Sequence, residues 1–379
     1  MRIRTFELER VQSLYENTVP YNLTESGFHP YTLKELLTPE QQEEVQNLVL
    51  GYGQTNGSIP LRQTIANLYS GTSEDNILVT NGTCEANFIA CHTLLEPGDE
   101  VLMMVPNYMQ IWGVVEELGC LPKAFHLKKG ESGWALDVEG LRDQVTNRTK
   151  MIVVCNPNNP TGYVMTDDEM QQVIDIAREA SCWVYSDEVY RGAELNGVEC
   201  PSFWGGYEKV LVNGGLSKAY ALPGLRLGWL VGPKDIIADA WSYSDYTSIT
   251  TSVLSQHVAD IALQPEKRSS ILSRNRKMLN ENLEAVTRWS EPFGELFDFV
   301  PPMAGGMLFV AYNHEINSTQ LSDWLRKEKG VFILAGDVYG MDHHFRIGVG
   351  AERDYLMQGM NIVGEAFKDL GDLSASVSN

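Results

Sequence analysis

Cysteine is scarce in this sequence, and the cysteines present are not arranged in pairs. There are 6 in 379 residues, at scattered positions and without a Cys-x-x-Cys spacing. Disulfide scaffolds and structural zinc modules need dense or regularly spaced cysteines, so the sequence excludes both classes. Several cysteines follow apolar runs, as Cys155 follows residues 151–154. We therefore expect reduced thiols and a cytoplasmic protein.

Long apolar runs and an excess of positive charge are also missing. No stretch approaches the roughly 20 apolar residues that span a bilayer. The charged N-terminal residues are not followed by an apolar stretch, so we expect neither a membrane partner nor an export signal. Lysine and arginine number 29 against 50 aspartate and glutamate residues, a formal net charge of -21. Such a surface repels phosphate backbones, and we expect no nucleic-acid partner.

A metal site is not indicated either. His343 and His344 are adjacent in the sequence, but neighbouring side chains diverge and no third ligand has a suitable spacing. We therefore expect no bound metal.

Short apolar runs alternate with helical stretches from about residue 76. The runs cover residues 76–80, 101–105, 151–155, 183–186, 210–213 and 228–232. Near-continuous apolar runs separated by helices are typical of a parallel sheet buried on both faces. We predict an α/β fold whose large domain has a mostly parallel sheet of the seven-stranded type, covered by helices on both faces. One covering helix is marked by Thr166 as N-cap, with Glu169 completing a capping box.

A second, smaller α+β domain is predicted from the two chain ends. At 379 residues the chain is too long for one small core. After about residue 275 the pattern changes to helices with strands around residues 308–310 and 345–347. We assign residues 1–45 and 276–379 to the small domain and residues 46–275 to the large, ligand-binding domain.

Three motifs follow predicted strands, at the sheet edge where open α/β folds bind ligands. Residues 156–162 read Asn-Pro-Asn-Asn-Pro-Thr-Gly, residues 186–190 read Ser-Asp-Glu-Val-Tyr, and residues 217–226 read Ser-Lys-Ala-Tyr-Ala-Leu-Pro-Gly-Leu-Arg. Together they supply a lysine, an arginine eight residues later, an aspartate at a strand end and a tyrosine. These groups fit an aldehyde cofactor with a phosphate, a ring nitrogen and a phenolic oxygen, which is pyridoxal 5′-phosphate.

Lys218 and Arg226 are the candidates for the covalent and phosphate contacts to this cofactor. A neutral amine attacks an aldehyde, and desolvation near other cations favours the neutral form. The planar guanidinium of Arg226 matches the geometry of a phosphate. The backbone amides of Gly82, Thr83 and Cys84, at a strand-to-helix junction, can cradle the same group.

Five further side chains are candidates for holding the cofactor ring and the substrate. Asp187, at a strand end, can pair with the protonated ring nitrogen. Tyr190 and Asn159 would hydrogen-bond the phenolic oxygen, and Tyr108 offers an aromatic face for stacking. Arg346 is either a clamp for a substrate α-carboxylate or one half of a surface ion pair.

Taken together, these residues resemble the class I/II aminotransferases, relatives of aspartate aminotransferase among the fold-type I pyridoxal phosphate enzymes. The resemblance runs from Tyr52 to Arg346, with the motifs in family order. It implies that Lys218 forms a Schiff base with the cofactor and acts catalytically with Asp187 and Tyr190. It also implies that Tyr52 reaches the phosphate across a dimer interface. The expected protein is thus a homodimeric aminotransferase with shared active sites, acting on an L-amino acid and a 2-oxo acid.

One departure from the family concerns the phosphate site. The family usually has a hydroxyl residue three positions before the lysine, and here that position is Gly215. A contact worth roughly 1–3 kcal/mol is therefore absent or supplied by Thr83 or Ser217.

The other departure lies in residues 23–32, where a Ser-Gly-x-His-x-Tyr-Thr segment resembles the capreomycidine synthase branch. Members of that branch carry out elimination and ring closure on a hydroxylated arginine. Gly27, His29 and Glu25 are then candidate substrate contacts beside Asn159, although His29 could equally cap a turn. The alternative function is therefore elimination, cyclisation or oxidation of an arginine-like amino acid.

Overall fold

The computed structural model describes residues 3–130 and 133–377. The strands within them are β1 (Tyr21–Asn22), β2 (Ile77–Thr80), β3 (Glu100–Val105), β4 (Leu121–Gly130), β5 (Gly133–Leu136), β6 (Thr149–Cys155), β7 (Trp183–Asp187), β8 (Val210–Gly215), β9 (Gly228–Val231), β10 (Phe297–Phe299), β11 (Met307–Tyr312), β12 (Val331–Phe332), β13 (Leu334–Ala335) and β14 (His344–Gly348). The α-helices are α1 (Glu7–Tyr15), α2 (Leu33–Leu36), α3 (Pro39–Gln46), α4 (Ile59–Ala66), α5 (Thr83–Leu94), α6 (Gln110–Glu117), α7 (Val138–Gln144), α8 (Asp167–Ala180), α9 (Lys234–Ser244), α10 (Val253–Leu263), α11 (Pro265–Ser290), α12 (Ser318–Trp324) and α13 (Arg353–Val377).

Eight strands form one large sheet in the order β2-β9-β8-β7-β6-β3-β4-β5. Strands β8, β7, β6, β3 and β4 run parallel to one another. Strand β9 is antiparallel to both β2 and β8, and β5 is antiparallel to β4. The six predicted apolar runs coincide with β2, β3, β6, β7, β8 and β9, so the predicted fold class is confirmed.

Strands β4 and β5 lack the apolar pattern from which the other strands of the sheet are predicted. In β4 most side chains are exposed or half-buried, and Lys123, Lys128 and Lys129 lie within it. It lies next to the last strand of the sheet, where solvent reaches the side chains. A strand in that position does not need a continuous apolar run.

Alternate residues of the central strands face opposite sides of the large sheet. In β3, Val101 and Met103 pack with residues of α5, α6 and α9. Leu102 and Met104 pack on the other side, in the core that includes residues of α4, α8, α10 and α11. Helix α8 begins with the predicted capping box between Thr166 and its third residue. Helices therefore cover both faces of the sheet, as the apolar runs predict.

A separate antiparallel sheet has the order β10-β11-β14-β13. Strand β1, near the N-terminus, pairs in parallel with β12. Both chain ends thus contribute to structure outside the large sheet, while the predicted domain boundaries stay a prediction. No helix within the described ranges has the length and apolar character needed to cross a membrane.

Candidate active site

A cavity of about 250 Å³ opens at the carboxyl ends of strands β6, β7 and β8. Parallel strands deliver the residues that follow them to the same edge of the sheet, which is why distant motifs meet there. The predicted residues that line the cavity are Glu25, Thr83, Cys84, Tyr108, Asn159, Asp187, Tyr190, Ser217, Lys218, Arg226 and Arg346.

Lys218 lies three residues beyond the end of β8 and extends into the cavity. Its Nζ donates a hydrogen bond to Glu25 Oε1 at 2.6 Å, and the two side chains form an ion pair. The side chain of Lys218 is 25% exposed, so solvent reaches it only in part. The amine therefore stands in a cavity with one fixed carboxylate beside it.

The N-terminus of helix α5 and the Arg226 guanidinium meet at the cavity. Arg226 Nη1 donates to two neutral oxygens, Ser217 Oγ at 3.4 Å and Pro223 O at 3.2 Å. Its positive charge is therefore available to an anion. Helix α5 begins at Thr83, and a Cβ atom on the preceding Gly82 (φ 84°) would lie 2.5 Å from Arg226 Nη2. Glycine thus permits the close approach of the arginine to the helix N-terminus, a typical anion site.

Gly215 has a steric explanation in the same region. A Cβ atom at position 215 would lie 2.7 Å from Thr83 Cγ2 and 3.2 Å from Leu227 O. The space that a side chain at this position would occupy is filled by Thr83. Both Thr83 and Ser217 line the cavity beside Arg226. Two hydroxyl groups are therefore present where a hydroxyl residue at position 215 would otherwise contribute.

Asp187 is a buried carboxylate at the end of β7. Its Oδ1 accepts a hydrogen bond from Val189 N at 3.2 Å. Burial raises the pKa of Asp187 to about 6, although this hydrogen bond favours the ionised form. Because burial disfavours the ionised carboxylate, Asp187 is suited to pair with a cationic N–H group of a ligand in the cavity.

Asp187→Asn is expected to remove part of the pH dependence of stability of the cofactor-free protein. The pKa of Asp187 rises from 3.8 to about 6 on folding, so between these pH values the unfolded chain releases its proton first. The folded state then loses stability as the pH rises. Relative to wild type, the variant should gain up to about 3 kcal/mol in free energy of unfolding between pH ~4 and ~7.

Urea unfolding of both proteins at the two pH values measures this difference. The neighbouring Glu188, whose pKa burial raises to about 7, is present in both proteins, so its contribution cancels. A stability difference that does not change with pH would contradict the assigned environment of Asp187.

Arg346, on β14, is 2% exposed and is therefore not part of a surface ion pair. Its Nη1 donates to Asn159 Oδ1 at 2.8 Å and its Nη2 to Thr24 O at 2.5 Å, both neutral oxygens. Its Nε has no hydrogen-bond partner in the described part of the chain. A buried guanidinium with an unused donor is suited to a carboxylate ligand.

Two neutral donors lie near the guanidinium. Because Asn159 Oδ1 accepts from Arg346, the amide nitrogen of Asn159 is the group left to donate. Tyr190 OH donates to Ser26 Oγ at 2.8 Å, and burial raises the pKa of Tyr190. The phenol therefore stays protonated.

Tyr108 forms one wall of the cavity. Its hydroxyl donates to Glu9 Oε1 at 2.6 Å and lies 3.4 Å from Cys84 Sγ. The ring meets Phe6 edge-on, with 4.8 Å between centroids. Burial raises the pKa of both Tyr108 and Cys84. Both groups are therefore neutral, and Cys84 is not an activated thiolate.

Tyr52 and His29 do not line the cavity. Tyr52 is 90% exposed. His29 is exposed too, and its backbone N donates to Gly350 O at 2.7 Å. Gly27 lies closer, since a Cβ atom there would be 3.6 Å from Lys218 Cδ. The roles of Tyr52 and His29 stay predictions.

Helix α1 and the residues after it contribute cavity residues that the motifs do not indicate. These are Leu8, Glu9, Gln12 and Glu16; Ser26, from the segment of residues 23–32, lines the cavity as well. Glu9, Gln12 and Glu16 are three and four positions apart, so a helix places them on one face. This polar face is the sequence feature from which a contribution of α1 to the cavity could be predicted. No cluster of three or more metal-binding side chains occurs in residues 3–130 and 133–377.

The donor set fits pyridoxal phosphate. The lining combines an anion site of Arg226 and a helix N-terminus with a buried carboxylate, a lysine amine and the buried Arg346. The phosphate, the protonated ring nitrogen and the aldehyde of the cofactor therefore each have a residue suited to them.

The chain matches the family model "Aminotransferase class I and II" over residues 21–359. It is 27% identical over 348 residues to the capreomycidine synthase of Streptomyces vinaceus, covering 91% of this chain and 89% of that protein. It is 30% identical over 353 residues to the aspartate/prephenate aminotransferase of Thermus thermophilus, covering 85% and 86% of the two chains. The crystal structure of a PLP-dependent aminotransferase from Streptococcus suis superposes with a TM-score of 0.91 at 31% identity, covering 97% of this chain and 99% of that one.

Proposed function

Because the chain belongs to the class I and II aminotransferases, which are pyridoxal 5′-phosphate-dependent transferases, we propose that it transfers the amino group of an L-amino acid to a 2-oxo acid at Lys218. One cavity is lined by Lys218, Asp187, Arg226 and Arg346, and this arrangement is the main support for the proposed function. These four side chains supply a covalent attachment point, a partner for a ring cation and two separate anion sites.

Several residues would hold the cofactor in this arrangement. Arg226, Thr83 and Ser217 would bind the phosphate, and Asp187 would keep a proton on the ring nitrogen. The amide nitrogen of Asn159 and the hydroxyl of Tyr190 would bind the phenolic oxygen. Bound pyridoxal phosphate supplies an electron-withdrawing ring that stabilises negative charge at the substrate α-carbon.

The proton transfer is the work of Lys218. With the substrate bound, Lys218 Nζ would accept the proton of the substrate α-carbon and deliver it to the acceptor atom. Arg346 would hold the substrate α-carboxylate and so fix the direction of the α-hydrogen toward this amine. The side chain of Tyr108 would limit movement of the ring from one side.

The expected result for a true amino donor is one equivalent of 2-oxo acid per active site. Further product should form only after a 2-oxo acid acceptor is added, because the acceptor takes up the amino group and allows another turnover. A panel of amino acids, assayed with and without acceptor, measures this. Continuous turnover without any acceptor would contradict amino transfer.

A second function is favoured by the acidic side of the cavity. Glu9, Glu16 and Glu25 all line it. Carboxylates around a cavity attract cationic ligands, and an arginine-like amino acid carries such a charge. One of the relatives is named capreomycidine synthase. Elimination, cyclisation or oxidation of an arginine-like substrate is therefore the second candidate, and ammonia, a cyclic product or oxygen uptake without a 2-oxo acid would distinguish it.

A homodimer with shared sites is supported by exposed apolar side chains in two segments of the chain, one of which contains Tyr52. Tyr52 is 90% exposed, and Val49, Leu50 and Tyr246 are 83%, 80% and 90% exposed. Exposed apolar groups of this kind mark protein contacts. Sedimentation velocity should give the mass of a dimer, and a monomer with full cofactor content would contradict this arrangement.

The proposed location is the cytoplasm. All six cysteines are free thiols, five of them buried. Free thiols are usual in a reducing compartment.

A further inference from the structure

Glu25 lies on a segment whose backbone is held in place by glycines near the end of β14. Gly348 N donates to Leu23 O at 2.7 Å. A Cβ atom on Gly348 would collide with the Glu25 carbonyl oxygen, and one on Gly350 would collide with the Gly27 carbonyl oxygen. Only glycine allows so close an approach. The position of Glu25 is thus fixed by backbone packing between the two ends of the chain.

The carboxylate of Glu25 is itself held by two donors. Its Oε1 accepts from Lys218 Nζ at 2.6 Å and from Gly27 N at 2.7 Å. The Glu25 side chain is 51% exposed, although many protein atoms surround it. Partial desolvation raises the pKa of Glu25, but Lys218, the Gly27 amide and Arg346 outweigh it and lower the pKa to about 2. The group therefore remains ionised at neutral pH and acts as a fixed negative charge, not as a proton donor.

Other charged and titratable groups also face this part of the cavity. They are Glu9 and Glu16 from α1 and the turn after it, Cys84 from α5, Tyr108 before α6, Cys155 at the end of β6, Asp187 and Tyr190 at the end of β7, Arg226 before β9, Tyr339 before β14, and Arg346 in β14. Among the described residues, Glu25 alone forms a hydrogen bond or an ion pair with Lys218 Nζ. Its carboxylate is therefore the charge with the strongest effect on that nitrogen.

We propose that Glu25 holds a proton on the Lys218 nitrogen while that nitrogen is linked to the aldehyde carbon of the cofactor. This role rests on the proposed function of Lys218. A protonated nitrogen withdraws electrons from the carbon that it joins, so the carbon is open to attack by the substrate amine. Glu25 thereby keeps the resting enzyme in its reactive protonation state at neutral and mildly alkaline pH.

The test is a pH titration of the visible absorbance of the full-length, cofactor-loaded protein. In Glu25→Gln the midpoint is expected to fall by about 1–2 pH units, because an opposite charge in contact is lost. Glutamine keeps an oxygen that can accept from the Gly27 amide, so the hydrogen bond between side chain 25 and the backbone of Gly27 is retained. Glu25→Asp keeps the charge and should retain a midpoint near that of wild type. Glu16→Gln removes a cavity carboxylate without contact to Lys218 and is the matched control.

Three results would overturn the role of Glu25. The first is an unchanged midpoint in Glu25→Gln. The second is an equal fall in Glu25→Asp or Glu16→Gln, which would trace the effect to disturbance of the segment or to overall charge. The third result concerns wild type alone, and it is a titration midpoint of the visible absorbance below pH ~7. Absence of any visible band from wild type in excess cofactor would instead contradict the proposed function, and this role with it.

Discussion

Lys218→Ala is expected to lower the turnover number by more than about 10⁴-fold, because the variant loses both the covalent attachment point and the positioned base. It should also lose the visible absorbance of the lysine-linked cofactor. The measurement is the steady-state rate with the best amino donor of the panel, together with the absorbance spectrum of the purified variant.

The fold of this variant should be preserved. Lys218 contributes one partly exposed ion pair with Glu25, and Glu25 keeps its hydrogen bond from the Gly27 amide. Far-UV circular dichroism and urea unfolding check this. Lys234→Ala, which removes an exposed ion pair between the first residue of α9 and Asp75, is the matched control and should retain full turnover. Substantial activity in Lys218→Ala would show that another group carries the chemistry.

Arg346→Gln is expected to lower kcat/KM for amino acids by about 10²–10³-fold, or about 3–4 kcal/mol. Arg346 is buried, and its remaining donors are available to a carboxylate beyond the bonds to Asn159 and Thr24. Glutamine cannot supply the charge or the paired N–H groups. Steady-state kinetics of wild type and variant measure the loss.

The matched comparison uses an amine that lacks the carboxylate but has the same side chain. Wild type and Arg346→Gln should convert this amine at similar rates, because the amine has no carboxylate for Arg346 to bind. An equal loss with both compounds would mean that Arg346 supports the cavity structurally and does not recognise the carboxylate.

The apolar runs predict the centre of the fold well. Central strands are buried on both faces, so each must be apolar almost throughout, as in β3 with Val101 to Met104. The same geometry explains why motifs near Asn159, Asp187 and Lys218 meet, since parallel strands end at one edge. Strand β4 is not predicted from an apolar run, because solvent reaches most of its side chains and they need not be apolar.

The contacts across the cavity are not predictable from local sequence. The bond from Tyr190 to Ser26 joins residues 164 positions apart, and that from Lys218 to Glu25 joins residues 193 apart. Such pairs depend on how the N-terminal segment packs against β14. The steric reason for Gly215 is of the same kind, because it lies in the side chain of Thr83 on a different element.

The site at which the cofactor is covalently attached tests the proposed role of Lys218. Borohydride reduction of the cofactor-loaded protein, followed by proteolysis and mass spectrometry, fixes the cofactor to whichever amine holds it. We expect a single modified peptide with the added mass on Lys218. Attachment to a different lysine, or none in protein saturated with pyridoxal phosphate, would contradict this role.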